Sequence, residues 1–431
     1  MELHDITTFF SFSNHSLNVV ILGTVLLGIT TAVVGCFSFL QKRALIGDAI
    51  SHSILPGVCV GFMISGSKNP IYLISFSVLS GLLSVYFMDF IKRKSKLKND
   101  TALAVTLTFF FGVGLMLLSV IQNSGNAAQS GVDQFLFGQA AAMLESDLII
   151  YGTVCLITLI IVIIFFKAFS LVSFDVNFGK SIGLPVRLYQ FLLTTITVIA
   201  VAVGIQTVGV VLMAAMLITP ASGARFWTNN MKKMVLISGV FGGLSGVFGA
   251  FISFILPNMP TGPWVIVCLS ALTTISILFA PSRGILYGVK TKKSWNDKLN
   301  RENILKAFYH IGEPDQDFEK SLSMNDVIFK RYFTSKQLTR GLKQLKKENK
   351  LTGINGKWTL TLSGLKEGKR LAKIHRLWEI YLTKYLNIAA DHVHDDAESI
   401  EHVITPELEK ELEKMLGYPE MDPHEKEIPY E

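Results

Sequence analysis

Long apolar runs with almost no acidic residues fill the first two-thirds of this chain. Only nine of its 33 Asp and Glu residues lie within positions 1–289, and the other 24 lie within 290–431. About 20 consecutive apolar residues are enough for a helix to cross the hydrocarbon core of a bilayer. Because lipid offers the backbone no hydrogen-bond partners, such runs can only be helices or parts of closed barrels. The sequence therefore predicts an all-α, polytopic membrane domain over residues 1–289.

Nine of these runs are predicted to be transmembrane helices. Their approximate ranges are 17–40, 44–66, 70–91, 101–122, 147–169, 188–206, 208–226, 234–256 and 262–280. The long apolar run 189–224 is divided into two short helices at the turn-like segment 204–207. Lysines and arginines follow the odd-numbered helices, whereas the opposite loops hold a single basic residue, Lys68. The positive-inside rule then predicts an N-terminus outside the cell and a cytoplasmic C-terminal region.

Asp48 and His52 place two ionisable side chains inside the second predicted helix. Residues four apart share one face of a helix. A charge near the bilayer centre costs about 2.5–3.5 kcal/mol even on the lenient insertion scale, so such residues usually face a bundle interior or a water-filled path. A carboxylate and an imidazole on one face can provide half of a site for a divalent transition metal. The alternative is a buried Asp–His hydrogen bond that only joins two helices.

Three motifs make residues 1–289 similar to the permease subunits of ABC importers for manganese, zinc and iron. They are GDAISHSILPG at 47–57, FDVNFGKSIGLPVR at 174–187 and QTVGVVLMAAMLITPA at 206–221. The resemblance implies that Asp48 and His52 contact the transported metal. It also implies that the second motif couples the permease to an ATPase, with Asp175, Gly183 and Pro185 as its characteristic residues.

The same resemblance implies a set of partners and a location in the bacterial inner membrane. The expected partners are cytoplasmic ABC ATPase subunits, a second permease subunit that is either identical or a paralogue, an extracytoplasmic metal-binding protein, and membrane lipid. The chain has no Gly-x-x-x-x-Gly-Lys-Ser/Thr motif, so it is not predicted to be the ATPase. The resemblance implies a transport subunit and not an enzyme. The expected substrate is Mn²⁺, Fe²⁺ or Zn²⁺, and no cofactor is expected to be tightly bound in the membrane domain.

The soluble region is divided by a reversal of charge. Residues 290–384 hold 22 Lys and Arg against 10 Asp and Glu, whereas residues 385–431 hold 3 against 14. Two predicted helices, the second over 335–350, precede a hairpin at 351–362 with Asn-Gly at its turn, which is a winged helix-turn-helix pattern. We predict this cytoplasmic domain over 290–370, with Lys336, Arg340 and Lys343 as candidate DNA-binding residues. A winged helix that docks a protein or faces the membrane is the alternative.

The last segment resembles the helical metal-binding and dimerisation region of the diphtheria-toxin-repressor family of iron- and manganese-dependent regulators. The similarity runs from about Arg301 to Pro429, and the metal-binding and dimerisation domain is predicted over 371–431. The resemblance implies the following ligands for Mn²⁺ or Fe²⁺, with Zn²⁺ as a further candidate: His375, Glu379, His394, Glu398, Glu401 and His402. Iron-sensing members tend to carry Cys where Glu398 stands, which favours manganese. The family's first helix also contributes ligands, but Asn303 and Lys306 stand there in this chain, which argues against metal-triggered DNA binding.

The combined prediction is the permease subunit of an ATP-driven importer of divalent transition metal, with manganese or iron favoured over zinc. Its cytoplasmic tail is predicted to be a metal-responsive regulatory domain, with DNA as a further candidate partner. Two alternatives stay open. A membrane-tethered, metal-dependent transcription regulator would use the permease part only as an anchor. An ion channel or secondary transporter would move the metal without ATP.

Overall fold

The structure is a computed structural model that describes residues 9, 11, 14–41, 43, 45–67, 69–123, 138, 140–256, 259–389 and 393–430. The side chains of residues 141, 394–396 and 399 lie outside this description. The chain divides into two compact units, Met1–Gly288 and Val289–Glu431.

Apolar helices make up the first unit. In chain order they are α1 (His15–Leu40), α2 (Ile46–Ser53), α3 (Leu55–Ser65), α4 (Pro70–Lys94), α5 (Asn99–Gln122), α6 (Glu145–Ile164), α7 (Phe166–Phe174), α8 (Val176–Ser181), α9 (Val186–Val208), α10 (Val210–Arg225), α11 (Met231–Ile255) and α12 (Thr261–Phe279). Within the described ranges, eight helical stretches are long and apolar enough to cross a membrane, with Ile46–Ser65 counted as one, and α10 is a shorter apolar helix. The predicted all-α, polytopic architecture is confirmed.

Several of the predicted spans differ in detail from the observed helices, and the span predicted at 147–169 is interrupted at Phe165, between α6 and α7. The span predicted at 44–66 is a pair of helices that meet at Ile54, because Pro56 has no N–H to continue the helical hydrogen bonds across the junction. The turn predicted at 204–207 is helical, and the chain instead breaks at Gly209. The φ of Gly209 is +92°, a conformation that side chains with a Cβ atom rarely adopt.

Glycines allow α1 to pack closely against α11. A Cβ atom added to Gly28 would lie only 2.3 Å from the carbonyl oxygen of Gly242. An interhelical hydrogen bond from Ser238 Oγ to the carbonyl oxygen of Ala32, at 3.0 Å, reinforces this contact. Small residues and hydroxyl groups are the usual means by which helices associate in lipid. Helix α1 also packs against α6, α9 and α10, which makes it a central element of the first unit.

Helix α2 is enclosed by its neighbours. It packs against α4, α5, α9 and α10. Its residues Ile46, Ala49 and Ile50 belong to the main hydrophobic cluster of the unit. Most residues of α2 are therefore buried within the helix bundle.

A winged helix forms the first part of the second unit. It consists of α13 (Ile285–Gly312, which begins just before the unit boundary), α14 (Met324–Lys330), α15 (Ser335–Lys347), β1 (Leu351–Ile354) and β2 (Lys357–Leu360). The strands pair antiparallel with Leu351 opposite Leu360. Asn355 and Gly356 both have positive φ at the hairpin turn, as the Asn-Gly pattern predicts. A shared core joins the helices to the hairpin, and it includes Ile304, Leu305, Phe308, Val327, Leu338, Leu342, Leu345 and Leu351.

Three helices complete the second unit: α16 (Leu362–Leu386), α17 (Val393–Ile400) and α18 (Pro406–Leu416). Arg376 of α16 is 2% exposed and binds the segment that follows α18. Its guanidinium donates hydrogen bonds to Glu313 at 2.8 Å and to the carbonyl oxygen of Glu427 at 2.5 Å, and it lies 3.6 Å from Asp422. Through these contacts, the buried Arg376 links the segment that follows α18 to α16 and to the residue that follows α13.

Candidate metal sites and coupling segment

Asp48 and His52 lie on successive turns of α2 with their side chains close together. Asp48 Oδ1 is 3.5 Å from His52 Nε2. The His52 ring packs edge-on against Phe111 of α5, with ring centroids 4.7 Å apart. The Asp48 side chain is 42% exposed and that of His52 is 17% exposed. The carboxylate therefore borders open space, while the imidazole is largely enclosed.

The His52 imidazole also has a nitrogen without a partner. Among the described residues, His52 Nδ1 is buried and makes no hydrogen bond. Such atoms are rare in folded proteins and often mark functional groups. Carboxylate oxygens and imidazole nitrogens are both ligands that divalent transition metals accept. The described part of the chain contains no group of three or more His, Cys, Asp or Glu side chains that could hold a metal, and the metal role of this pair stays a prediction.

The predicted coupling residues lie in one compact turn. Asp175 begins α8, and its Oδ1 accepts hydrogen bonds from the N–H groups of Asn177 at 2.9 Å and Phe178 at 3.0 Å, which is N-capping. Gly183, with φ of +80°, reverses the chain after α8. Pro185 then precedes α9, where a fixed φ favours the start of a helix.

Three large apolar side chains on this segment are exposed. They are Phe174, Phe178 and Ile182, each more than half exposed. Contiguous exposed apolar groups usually mark a surface that binds protein or membrane. Sequence analysis did not single them out, because apolar residues near predicted transmembrane helices cannot be told apart from lipid-facing ones without the structure.

His375 and Glu401 form the centre of a buried polar cluster in the second unit. His375 Nδ1 is 2.6 Å from Glu401 Oε2, and His375 Nε2 is 3.0 Å from Glu379 Oε1. Lys306 Nζ donates a hydrogen bond to the same Glu401 oxygen at 2.7 Å. None of these four side chains is more than 5% exposed. The cluster joins α13 to α16 and to the residue that follows α17.

Charges compensate each other within this cluster. Burial alone would lower the pKa of His375, but hydrogen bonds to Glu379 and Glu401 outweigh burial and raise it. Burial alone would raise the pKa of Glu401, but the hydrogen bond with His375 and the charge of Lys306 lower it. Burial lowers the pKa of Lys306, and the charge of Glu401 opposes that shift. The hydrogen bond with His375 and the charge of Lys306 thus favour the ionised form of Glu401.

His402 forms a second polar group beside the cluster. Its Nδ1 lies 2.7 Å from Glu302 Oε2, and its Nε2 lies 3.1 Å from Asn303 Oδ1. The distance from Nε2 to Glu401 Oε1 is 3.4 Å. Sequence analysis missed Glu302, although its position four residues before Lys306 places both on one face of α13.

Lys336, Arg340 and Lys343 are all exposed on α15, the second helix of the winged-helix pattern. Arg340 forms an ion pair with Asp297 of α13 at 2.6 Å. A carboxylate at this distance competes with a nucleic-acid phosphate for the guanidinium group. DNA binding by these residues stays a prediction, and Asp297 is a residue that the sequence analysis missed.

Residues 13–280 match the family model described as the ABC 3 transport family. The match covers more than half of the chain. This chain belongs to the ABC 3 transport family. Residues 361–430 match a second family model, described as the iron dependent repressor, metal binding and dimerisation domain. Both resemblances drawn from the motifs are therefore confirmed: this multi-pass ABC 3 permease carries a C-terminal iron-dependent-repressor domain.

Named relatives of this ABC 3 permease transport manganese or zinc. The chain is 40% identical over 374 residues to the manganese transport system membrane protein MntC of Bacillus subtilis (strain 168), across 86% of this chain and 85% of the relative. It is 38% identical over 276 residues to the zinc transport system membrane protein TroC of Treponema pallidum (strain Nichols), across 64% of this chain and 93% of the relative. Among solved structures, PsaBC from Streptococcus pneumoniae in complex with Fab matches with a TM-score of 0.58 and 33% identity, across 64% of this chain and 97% of the matched chain.

The cluster around Glu401 does not fit a divalent metal in its present arrangement. An ion bound to Glu401 Oε2 would meet the ammonium group of Lys306, which lies 2.7 Å from that oxygen. Glu398, another predicted ligand, forms an ion pair with Arg331, and the side chain of His394 lies outside the described residues. The ligand role of the six residues in this domain of the ABC 3 permease therefore stays a prediction, with Lys306 as the observation against it.

Proposed function

We propose that this chain is the permease subunit of an ATP-driven importer of divalent transition metal in the bacterial inner membrane, with Mn²⁺ as the favoured substrate. The observation that carries the proposal is the Asp48–His52 pair, a partly open carboxylate 3.5 Å from an enclosed imidazole inside a helix bundle. A hard carboxylate and a borderline imidazole suit Mn²⁺, Fe²⁺ and Zn²⁺. The relatives named for manganese and zinc transport support the metal class.

The two ligands of one chain account for transport if two permease subunits share the site. Two subunits around a common path would present two copies of Asp48 and of His52, which is a four-ligand site. Each half would bind the ion weakly when the subunits separate. Binding would then be strong in the closed state and weak in the open state, so that separation of the halves releases the ion. The second subunit is either an identical chain or a paralogue.

We further propose that the segment 174–187 docks into a cytoplasmic ATPase. Its support is a short helix between Asp175 and Gly183 with large apolar side chains exposed beside it. The positive-inside pattern supports an N-terminus outside the cell and a tail in the cytoplasm. An extracytoplasmic metal-binding protein would deliver the ion on the opposite side.

Uptake of radioactive manganese into proteoliposomes tests this function. The vesicles would contain the chain and its ATPase. The binding protein and the metal would be supplied on the membrane face opposite the ATPase, which corresponds to the outside of the cell. Uptake is expected to require hydrolysable ATP and to fail with a non-hydrolysable analogue. Uptake without ATP would instead support an ion channel or secondary transporter.

A regulatory role is proposed for the C-terminal domain, through contacts with the permease assembly or with DNA. The exposed Lys336 and Lys343 of α15 support nucleic-acid binding as the second candidate function. A membrane-tethered transcription regulator would bind specific promoter fragments and would show no ATP-dependent uptake. Titration of the full-length chain with genomic promoter fragments over a range of salt concentrations tests this candidate, because phosphate contacts make binding strongly salt-dependent.

A further inference from the structure

Lys306 is a buried lysine whose ammonium group binds the carboxylate of Glu401. Its side chain is 5% exposed, and its Nζ lies 2.7 Å from Glu401 Oε2, on a side chain with no exposure at all. Lysine is almost never fully buried unless its charge is paired. His375 Nδ1 lies 2.6 Å from the same oxygen. An ammonium group and an imidazole from different helices therefore converge on one carboxylate.

This contact joins two parts of the second unit. Lys306 lies on α13, where its neighbours Ile304, Leu305 and Phe308 belong to the core of the winged helix. Its partner Glu401 follows α17, within the residues that match the metal binding and dimerisation family. The hydrogen bond spans 95 residues of sequence. The lysine thus connects the winged helix to the domain whose relatives bind metal.

A divalent ion and the Lys306 ammonium group cannot both occupy this position. An ion on either oxygen of Glu401 would lie only a few ångströms from the Lys306 ammonium group at Oε2, and two positive charges that close together in a buried site repel each other strongly. The ammonium group already provides what a bound ion would provide: positive charge against Glu401 and a link between α13 and the residues around α17.

We propose that Lys306 is a built-in cation that replaces a divalent metal at the junction between the winged helix and the C-terminal helices. The junction is therefore assembled in the absence of metal, and metal supply does not control its assembly. The description of its family implies that the C-terminal domain depends on metal. In this chain the positive charge at the junction belongs to the side chain of Lys306, so the junction does not depend on a bound ion.

Hydrogen–deuterium exchange of the full-length chain in detergent tests this proposal. The exchange of the junction is followed in peptides that cover residues 300–312, 371–386 and 393–405. These peptides do not include any part of the membrane unit, so a metal bound there does not affect the comparison directly. In the wild-type chain, the exchange rates of these peptides in EDTA and in excess Mn²⁺ are expected to agree within about twofold, because the Lys306 ammonium group already lies beside Glu401. Slower exchange with Mn²⁺ by tenfold or more would overturn the proposal.

Variants of Lys306 make the test specific. Lys306→Gln removes the charge and leaves Glu401 buried without it, so exchange at the junction is expected to rise by on the order of tenfold or more. Lys306→Glu should show the same increase in EDTA and should be slowed again by Mn²⁺, since it adds a third carboxylate to Glu379 and Glu401. A Lys306→Gln chain with wild-type exchange, or a Lys306→Glu chain without rescue by Mn²⁺, would contradict the replacement of metal by lysine.

Two controls accompany these variants. Lys306→Arg keeps the charge and should stay metal-independent. Lys320→Gln removes a lysine whose partner, Asp315, is exposed, and it should leave exchange at the junction unchanged. If Lys306→Gln yields no folded chain, the wild-type comparison between EDTA and Mn²⁺ still decides the question. Uptake by the wild-type chain is measured separately, so a failure of the transport proposal would not be mistaken for a failure of this one.

Discussion

At the scale of single residues, the candidate sites of this permease consist of a few ionisable side chains in largely apolar surroundings. Asp48 and His52 were predictable from the sequence, because two ionisable residues inside a 20-residue apolar run stand out without any structure. Their spacing of four residues also predicted their proximity, and the structure brings them to 3.5 Å. The orphaned Nδ1 of His52 was not predictable, since it depends on Phe111 and other neighbours from distant helices.

Asp48→Asn is expected to reduce metal uptake by roughly 10–100-fold or more. The reason is that even the loss of a residue that only orients a metal ligand typically lowers metal affinity or activity by this factor. The substitution keeps the size of the side chain and removes its charge, so the amount of folded chain in the membrane should not change. His52→Ala should have a similar effect. Uptake of radioactive manganese and the basal ATPase activity of the assembled transporter are the measurements.

Asp100→Asn is the matched control for this prediction. It makes the same chemical change at an exposed acidic residue in the first turn of α5, and it should transport at the wild-type rate. Wild-type uptake by both Asp48→Asn and His52→Ala would show that the pair has only a structural role.

Glu313 makes the stability of the second unit sensitive to acid. Burial alone would raise the pKa of Glu313, but hydrogen bonds from His310 and Arg376 outweigh it and lower the pKa to about 2, from an ordinary value of 4.5. A carboxyl group with a lower pKa in the folded state stabilises that state above its unfolded pKa and loses this contribution as the pH falls through the folded pKa. The stabilisation by Glu313 is therefore fully present above about pH 5 and disappears between about pH 4.5 and 2.

Glu313→Gln isolates this contribution. The stability advantage of the wild-type chain over the variant is expected to be constant from neutral pH to about pH 5 and to shrink in the acid window below it. Hydrogen–deuterium exchange of the full-length chain from neutral pH to about pH 2, with the wild-type chain and the variant compared at each pH, measures how readily the second unit opens. An advantage that stays constant from pH 5 to pH 2 would show that the ionised Glu313 is not what stabilises the unit.

At the scale of helices and turns, the apolar pattern predicted where helices lie better than where they break. Each predicted span corresponds to an observed helix or helix pair, because the length and hydrophobicity of a run suffice for that purpose. The break between α9 and α10 lies at Gly209, while the segment 204–207 stays helical. Both segments contain a glycine, and only tertiary packing decides which of the two leaves the helix.

Gly183→Val is expected to uncouple ATP hydrolysis from transport. Gly183 has φ of +80° and no atom within 4 Å of the position of an added Cβ, so the cost arises from backbone strain, about 1–2 kcal/mol for an ordinary residue. Relief of that strain would shift α8 away from its partner. Uptake should fall while ATP hydrolysis by the assembled transporter continues.

Gly183→Asn is the control for this effect, since asparagine adopts the left-handed conformation more readily. It should retain most of the uptake. Equal losses for Val and Asn would assign the defect to the side chain and not to the backbone. Labelling of a cysteine in this segment only from outside the cell would contradict the proposed orientation.

At the scale of the whole molecule, some contacts join residues that are far apart in sequence, and local sequence patterns do not predict them. Fold class and family followed from apolar runs and motifs, which are local features. The contact of Lys306 with Glu401 and that of His402 with Glu302 each join residues about 100 positions apart. No spacing rule predicts such contacts, and the lysine changes the interpretation of the whole C-terminal domain.

Co-expression of wild-type and Asp48→Asn chains tests how many copies form one transporter. If two identical chains share a site and both Asp48 residues are needed, equal expression leaves about a quarter of the pairs fully wild-type, and uptake falls to about a quarter. If the chain pairs with a paralogue, uptake falls to about half. Immunoblots that confirm equal amounts of the two chains are the control. Uptake well above half would contradict the requirement for Asp48.

The buried lysine also determines which external conditions the C-terminal domain can respond to. A metal ion reaches its ligands from solution, so its occupancy follows the free concentration in the cell and falls when the ion is chelated or scarce. Lys306 is attached to α13 and held 2.7 Å from Glu401, which gives it an effective concentration that no freely diffusing ion can match. If Lys306 replaces the ion as proposed, a cell starved of divalent metal would therefore keep this junction closed.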